Sequence, residues 1–443
     1  MRGALAAVMY KIGSLLRRPF VRNVAVLASG SALAQAIVLA FTPVISRLYD
    51  PSEFGRFAAY SVVVGLVGCV ASLRYDIAIM LPKEDREAAN VLALCAIVIT
   101  AVGAVGGGLI IVFSGRLANA LRTPELATWF WLAPVSIFLL GFSQSLMTWC
   151  SRRKKFRRAA VSQVVRAGTG PGAQTTAGFL NAGASGLLGG AIFGDLCGVI
   201  VMAGQVLRGD RRLLRDSLAF ANIKNAAREY AVFPKFTSAQ TLLNTASQYL
   251  PVFLLAYYFG PIVVGFYAVG MRIIQLPLSL VLESLREVLF QKASEVFNSG
   301  GDTYGFFKKS TGALFAIVAL PTLAIMLLAP AVASFVLGSR WRTAGEYSSW
   351  LVFWLALMFC NSPAVILGQL YRKQRLLLIQ DICLLTSRAL ALVVGGSNFS
   401  ASGTIILYSM VGVAYNLVLI ISIWDTVRQQ RRKTPVDSFS PSA

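Results

Sequence analysis

The sequence predicts an all-α integral membrane protein of about twelve transmembrane helices, which an internal repeat would set in two pseudo-symmetric six-helix lobes around a central cavity; the membrane class and the helix count come first. Three observations predict it. The chain is 56% hydrophobic and only 14% charged, with a mean hydropathy of +0.67, which is too apolar for a soluble protein of 443 residues. Uninterrupted apolar stretches of roughly 18 to 25 residues recur along its whole length, each long enough to cross a hydrocarbon core of roughly 30 Å. Finally, the Lys and Arg residues concentrate in alternate loops, as they do when basic loops stay on the cytoplasmic side.

Taken in order, a basic lead over 1–23 precedes the first helix. It contains Lys11, Arg17, Arg18 and Arg22, and it lacks a small-residue cleavage site behind an apolar core, so it reads as a retained segment and not a signal peptide. Six helices then span Val24 to Ser46, Phe54 to Leu81, Ala88 to Ser114, Leu126 to Cys150, Ala159 to Leu180 and Ser185 to Val206. These make an N-lobe over 24–206. A basic linker over 207–235 follows, with too few residues to bury a core of its own. The C-lobe over 236–426 holds six more helices, at Phe236 to Phe259, Val263 to Leu285, Gly312 to Phe335, Tyr347 to Tyr371, Leu376 to Val394 and Gly403 to Thr426, and a tail over 427–443 ends the sequence.

With this count, 32 of the 41 Lys and Arg fall in the lead, the even-numbered turns and the tail, and six at the opposite ends of the helices. Both termini are therefore expected in the cytoplasm. The formal charge of +22 would suggest nucleic acid in a soluble protein, but here the densest run, Arg152 to Arg158, is tethered between two spans, so its expected role is topological, with anionic lipid as a second partner and nucleic acid excluded. The six cysteines all lie in or beside apolar stretches, which is not a disulfide framework. Histidine is absent, so histidine relays and histidine metal sites are excluded, and no metal or cofactor is expected.

The two sets of six helices look like copies. Pro51, Gly55, Phe57 and Ala58 match Pro261, Gly265, Tyr267 and Ala268 at constant spacing, and Ser72-Leu73-Arg74 is echoed by Ser284-Leu285-Arg286. An even number of helices per copy relates the copies by an axis along the membrane normal. Coincidence among Gly- and Ala-rich helices is the competing explanation.

Three arginines, Arg166, Arg272 and Arg388, fall roughly 13 to 18 Å along their helices, near the midplane. Such placement costs at least about 2.5 kcal/mol each, so the side chains should face protein or water. One reading is packing alone, with Asp195 at the depth of Arg166 and Asp381 two turns from Arg388 on one face. The other is a basic cavity for an anionic cargo, because cations outnumber acids at that depth and a guanidinium fork binds phosphate oxygens through paired charge-assisted bonds. A lipid pyrophosphate would suit it. Arg74 and Arg286, at equivalent ends of the second helix of each copy, are placed either to receive a head group or simply to anchor topology.

Helix 5 carries Gly168-Thr169-Gly170-Pro171-Gly172, a run expected to break helical regularity and to act as a hinge at Gly168, Gly170, Pro171 and Gly172, with close helix packing as the alternative. The amides Gln35, Gln163, Gln174, Asn244, Gln248 and Gln275 either bind sugar hydroxyls or bridge helices. Trp129, Trp131, Trp149, Trp341 and Trp424 fall near helix ends, as expected for an interfacial aromatic belt.

The stretches Leu48-Tyr49-Asp50-Pro51-Ser52-Glu53-Phe54-Gly55-Arg56-Phe57-Ala58 and Leu73-Arg74-Tyr75-Asp76-Ile77-Ala78-Ile79-Met80-Leu81-Pro82 resemble the Wzx-type O-antigen and exopolysaccharide flippases, within the polysaccharide transporters of the multidrug/oligosaccharidyl-lipid/polysaccharide flippase superfamily. Asp76 stands where Glu is usual. The resemblance implies two six-helix lobes around a cavity, and movement of undecaprenyl-pyrophosphate-linked oligosaccharide from the inner to the outer leaflet of a bacterial inner membrane by alternating access. It also implies drive by a proton or sodium gradient, for which Asp195, Asp381 and Glu283 are the acids to test, and partnership with the polymerase and chain-length proteins of the same pathway. No covalent chemistry is implied, and the chain is not expected to be an enzyme.

A membrane polysaccharide polymerase or ligase usually carries a large outer loop, and every outer loop here is short. No paired-carboxylate, Ser/His or metal-ligand constellation is present. A multidrug exporter of the same superfamily is the closer rival, although the acid that many such exporters carry in the first helix is missing between Val24 and Ser46. The lipid II flippase branch carries two more helices than the twelve expected here.

Overall fold

The computed structural model describes residues 19–433, so most of the basic lead and the end of the tail lie outside the described residues. Within it the chain is all-α, and among the described residues there is no strand. Among the described residues, twelve helices have 18 or more residues: α1 Pro19–Leu48, α2 Pro51–Gly68, α3 Asp85–Val112, α4 Ala133–Arg152, α5 Phe156–Phe179, α6 Gly183–Ser217, α7 Ser238–Phe259, α8 Pro261–Asn298, α9 Thr303–Leu337, α10 Arg342–Cys360, α11 Gln374–Asn398 and α12 Ala401–Lys433. Among the described residues, 8 segments are long and apolar enough to cross a membrane. The chain is a multi-pass membrane protein. It divides into two compact units, Met1–Phe253 and Leu254–Ala443.

Both matched Pro-x3-Gly motifs start a helix. Pro51 and Pro261 occupy the first turns of α2 and α8, where the missing N–H costs nothing. At the first, the Asp50 backbone N–H donates to Glu53 Oε2 at 2.7 Å; at the second, Gly260 supplies a φ of 80°. The Ser-Leu-Arg echo does not survive. α8 runs unbroken to Asn298, whereas α2 stops at Gly68 and not at Leu81. Leu73 and Arg74 take φ values of 48° and 60°, a left-handed step costing roughly 1–2 kcal/mol per residue outside glycine. The Ser72 hydroxyl, donating to Asp76 Oδ1 at 2.6 Å, fixes the short helix Tyr75–Ala78 that follows.

In the first unit, α5 is held between α1 and α6. Ser31 Oγ donates to Gln163 Oε1 at 2.7 Å from α1, and Gln174 Nε2 donates to the Leu187 carbonyl of α6 at 2.8 Å, so these two amides bridge helices. Gly190, Gly194 and Gly198 form a stripe along α6 that admits the α5 backbone; a Cβ on Gly194 would stand 2.6 Å from Gly170 Cα. The helix is continuous through Gly168, Gly170, Pro171 and Gly172, which corrects the expected loss of regularity: Gly170 serves close packing. Gly194→Leu is expected to lower the melting temperature of the purified protein by an amount corresponding to about 1–3 kcal/mol of overpacking. Gly204→Leu, with open space around it, should leave it unchanged; equal shifts would contradict this packing.

The linker is mostly helical and not a loop, because α6 extends to Ser217 and a further helix covers Phe220–Glu229. That helix turns Ile223, Ala226 and Ala227 inward and packs on α3. Buried Asn90 of α3 accepts from the Ala219 backbone N–H at 3.2 Å and donates to the Ser217 carbonyl at 3.0 Å, and Tyr75 donates to the Ala227 carbonyl at 3.0 Å.

In the second unit, α10 packs on α8, α9 and α12, and α11 packs on α12. Phe307, Ile366, Leu367 and Ile423 make one core cluster. Trp424 stands edge-on to Tyr304 and Phe307, Trp341 is fully buried against Phe266, and in the first unit Trp149 is fully buried. These three are packing residues and not belt residues, because a place near a helix end does not decide which way a ring points; Trp131, 61% exposed, does face outward.

Candidate functional site: intramembrane arginines and a buried charge cluster

The Arg152 to Arg158 run is split in two by the fold. Lys154, Lys155 and Arg157 are exposed. Arg152, Arg153 and Arg158 turn inward onto two aspartates. Arg152 Nε reaches Asp85 Oδ1 at 3.1 Å and its Nη1 donates to the Ile79 carbonyl at 3.0 Å. Arg153 pairs with Asp85 and lies 3.6 Å from Asp210, Arg158 pairs with Asp210 at 2.7 Å, and Trp149 Nε1 donates to Asp210 at 3.2 Å. Asp210 is 5% exposed. One end of α3, α4, α5 and α6 is thus tied together, so the run does structural work beyond topology. The basic run was plain in the sequence; its acid partners are isolated aspartates tens of residues away.

The three mid-helix arginines differ from one another. Arg166 of α5 pairs with Asp195 of α6, which satisfies the packing reading there. Arg272 is exposed on α8. Arg388 of α11 does not pair with Asp381, which is exposed: seven residues place the two on one face, yet about 10.5 Å apart along the axis. Arg388 instead lies in an aromatic cage. Its Cζ is 4.2 Å from the ring centre of Trp354 on α10 and 4.9 Å from that of Tyr408 on α12, and the two rings meet edge to face at 6.1 Å.

Magnitudes show what this cage leaves undone. Two cation–π contacts contribute about 0.5–2 kcal/mol each, while the charge costs at least about 2.5 kcal/mol at that depth. Arg388 Nε and Nη2 and the Trp354 indole N–H are buried with no acceptor among the described residues, each such donor costing about 1–3 kcal/mol. Trp354 and Tyr408 were not foreseen; the available signal was a tryptophan in the middle of a span, where no belt residue belongs.

Arg74, in the left-handed step after α2, lies 4.0 Å from buried Asp76 and leaves its own Nε without an acceptor among the described residues. The side chains of Arg286 and Glu283 lie outside the described residues, though both sit within α8. Of the other amides, Gln35 is half-buried with Oε1 unpartnered, and Asn244, Gln248 and Gln275 are exposed. All six cysteines are free thiols.

Comparison with known proteins places this geometry. The fold is similar to that of a multidrug resistance MATE family transporter of the MOP superfamily in an inward-facing conformation, with 15% identity, a TM-score of 0.65 and coverage of 92% of this chain and 96% of that one. It is similar also to the lipid II flippase MurJ in an inward closed conformation, at 13% identity and a TM-score of 0.68 over 90% and 89% of the two chains. A mutant of the Vibrio cholerae MATE transporter VcmN matches at 13% identity and a TM-score of 0.58 over 94% and 98%. No curated protein matches in sequence. Residues 44–346 match the family model described as polysaccharide biosynthesis protein, and with most of its length inside that match, on a transporter-type fold with cations held at mid-span, the chain belongs to the polysaccharide biosynthesis protein family.

Proposed function

We propose that this protein is a flippase that carries an undecaprenyl-pyrophosphate-linked oligosaccharide from the cytoplasmic to the periplasmic leaflet of a bacterial inner membrane by alternating access, for O-antigen or exopolysaccharide synthesis. The observation that carries the reading is the uncompensated, donor-rich Arg388 inside a membrane helix of a polysaccharide biosynthesis protein. A diphosphate offers several anionic oxygens, which suits the fork of Arg388 and the neighbouring indole N–H. Arg272 supplies a second accessible cation, and Arg74 and Arg286 are assigned to head-group capture at the cytoplasmic face.

The six-plus-six division, with lobes over 24–206 and 236–426, belongs to the same proposal. So does ion coupling by protons or sodium, assigned to Asp195, Asp381 and Glu283, and so does cooperation with the polymerase and chain-length proteins. A hinge in α5 is assigned to Gly168 and Gly172, whose surroundings are open. The second reading, a multidrug exporter, is favoured by the similarity to the MATE fold. The uncompensated arginine counts against it for cationic drugs, which the charge would repel.

Deleting the gene is expected to leave lipid-linked oligosaccharide on the cytoplasmic leaflet and to remove surface glycan. Complementation with Arg166→Ala, Arg272→Ala, Arg388→Ala and the triple variant tests the basic site. Full surface glycan in every one of these strains, at normal protein levels, would remove it.

A further inference from the structure

The last turns of α6 carry a basic strip that neither the helix packing nor the mid-helix site uses. From Gly183 to Leu207 the helix has one charged residue, Asp195, which pairs with Arg166. That length rises roughly 36 Å at 1.5 Å per residue, enough to cross a hydrocarbon core of roughly 30 Å with some tilt. Its outward side is marked by Phe193, Leu196, Ile200 and Leu207, all exposed and, by the helical repeat, confined to one strip. Arg208, Arg211 and Arg215 continue the same strip and Arg212 borders it; all four are exposed. One side of one helix therefore changes from bare hydrocarbon to bare guanidiniums between Leu207 and Arg208, as expected where a lipid-facing surface passes from acyl chains to head groups.

No acid answers these charges. Among the described residues none of the four arginines is ion-paired, exposed Asp216 included as a partner, and buried Asp210 is turned inward to Arg158 and Trp149. Two ordinary explanations fall short. Retention of a loop on one side of a membrane depends on how many Lys and Arg it holds, not on which side of a helix they face. The helix dipole acts within the last turn, which accounts for Arg215 but not for Arg208 or Arg211. Like charges three and four residues apart on a helix repel, so four of them on one side call for an anionic partner. The Arg152 to Arg158 run differs, because three of its cations are taken up by Asp85 and Asp210.

We propose that Arg208, Arg211, Arg212 and Arg215 bind the phosphate head groups of anionic phospholipids in the leaflet that meets this end of α6. A lipid is favoured over an acidic protein segment because the strip continues the membrane-facing side of the same helix and begins at head-group depth. With Asp210 held inward by Arg158 and the outward side held by phosphate, the end of α6 is fixed from both directions, whatever cargo the protein carries. The full-length protein is reconstituted in phosphatidylcholine nanodiscs with a trace of photoreactive phosphatidylglycerol or, in parallel, photoreactive phosphatidylcholine, and labelling of peptides covering 200–217 is compared. Each arginine beside an anionic head group is worth roughly a fivefold preference, so the parent should label at least about tenfold more strongly with phosphatidylglycerol. Glutamine at all four positions should bring that ratio to about one. Arg211→Gln, Arg215→Gln, Asn222→Arg and Asn225→Arg combined move two charges to exposed positions of the following helix and keep the net charge that insertion needs; this variant should lower the ratio at least about fivefold. It keeps the test decisive if the fully neutral variant does not insert. Equal labelling of the parent by the two lipids, as expected of a strip that serves an acidic protein, would overturn the proposal. So would a ratio unchanged by relocating the two charges, which would assign the preference to net charge alone.

Discussion

Replacing Asp210 with alanine is expected to cost about 3–5 kcal/mol of stability, the largest single-residue effect in the first unit. Asp210 is 5% exposed and accepts from Arg158 at 2.7 Å and from Trp149 at 3.2 Å, with Arg153 at 3.6 Å. Removing the carboxylate leaves the Arg158 guanidinium and an indole N–H facing a void, while Arg153 keeps Asp85, and a cation orphaned as Arg158 is costs far more than an intact pair contributes. The effect should be read as a lowered melting temperature in detergent and as poor membrane accumulation. Asp85→Ala should cost less, since Asp85 is 37% exposed and water replaces part of what is lost. Equal melting temperatures for Asp210→Ala and the parent would show that the four helix ends are held by apolar packing alone.

The largest effect on activity is expected at Arg388. If its guanidinium neutralises phosphate at mid-membrane, Arg388→Ala removes one charge-assisted fork worth about 1.5–3 kcal/mol to a charged acceptor, which corresponds to roughly a 10- to 150-fold loss of transport. Lysine should rescue little, because an ammonium keeps the charge but neither the planar fork nor the stacking on Trp354 and Tyr408. Trp354→Phe separates the parts: the ring face remains while the orphaned indole N–H is deleted, so a smaller loss is expected than for Arg388→Ala. The melting temperature of Arg388→Ala should not fall, since a desolvated, unpaired charge destabilises the protein that holds it. A large drop in stability would assign Arg388 to packing instead.

Much of this protein was legible in its sequence. Twelve long helices follow from apolar runs that repeat at membrane length, but two of them begin at Pro51 and Pro261, ahead of the Phe54 and Val263 at which the apolar runs set in. What was not legible depends on contacts between distant elements. The left-handed step at Leu73 and Arg74 has no glycine or proline to announce it; it exists because Ser72 and Asp76 bond across it. The Gly168 to Gly172 run reads as a breaker, yet its helix is uninterrupted because α1 and α6 pack along it. Arg388 was visible as a mid-span cation, but spacing alone suggested Asp381 as its partner. The aromatic rings that hold it come from α10 and α12, at sequence separations that no local pattern encodes.

The most direct test of the central claim is leaflet transfer by the purified protein in proteoliposomes loaded with an undecaprenyl-pyrophosphate-linked oligosaccharide, followed by the protection of the glycan from a membrane-impermeant oxidant. The account predicts that the parent protein accelerates transfer and that Arg388→Ala slows it at least about tenfold, in line with the loss of one charge-assisted contact. Transfer at the parent rate by a correctly folded Arg388→Ala protein would contradict it.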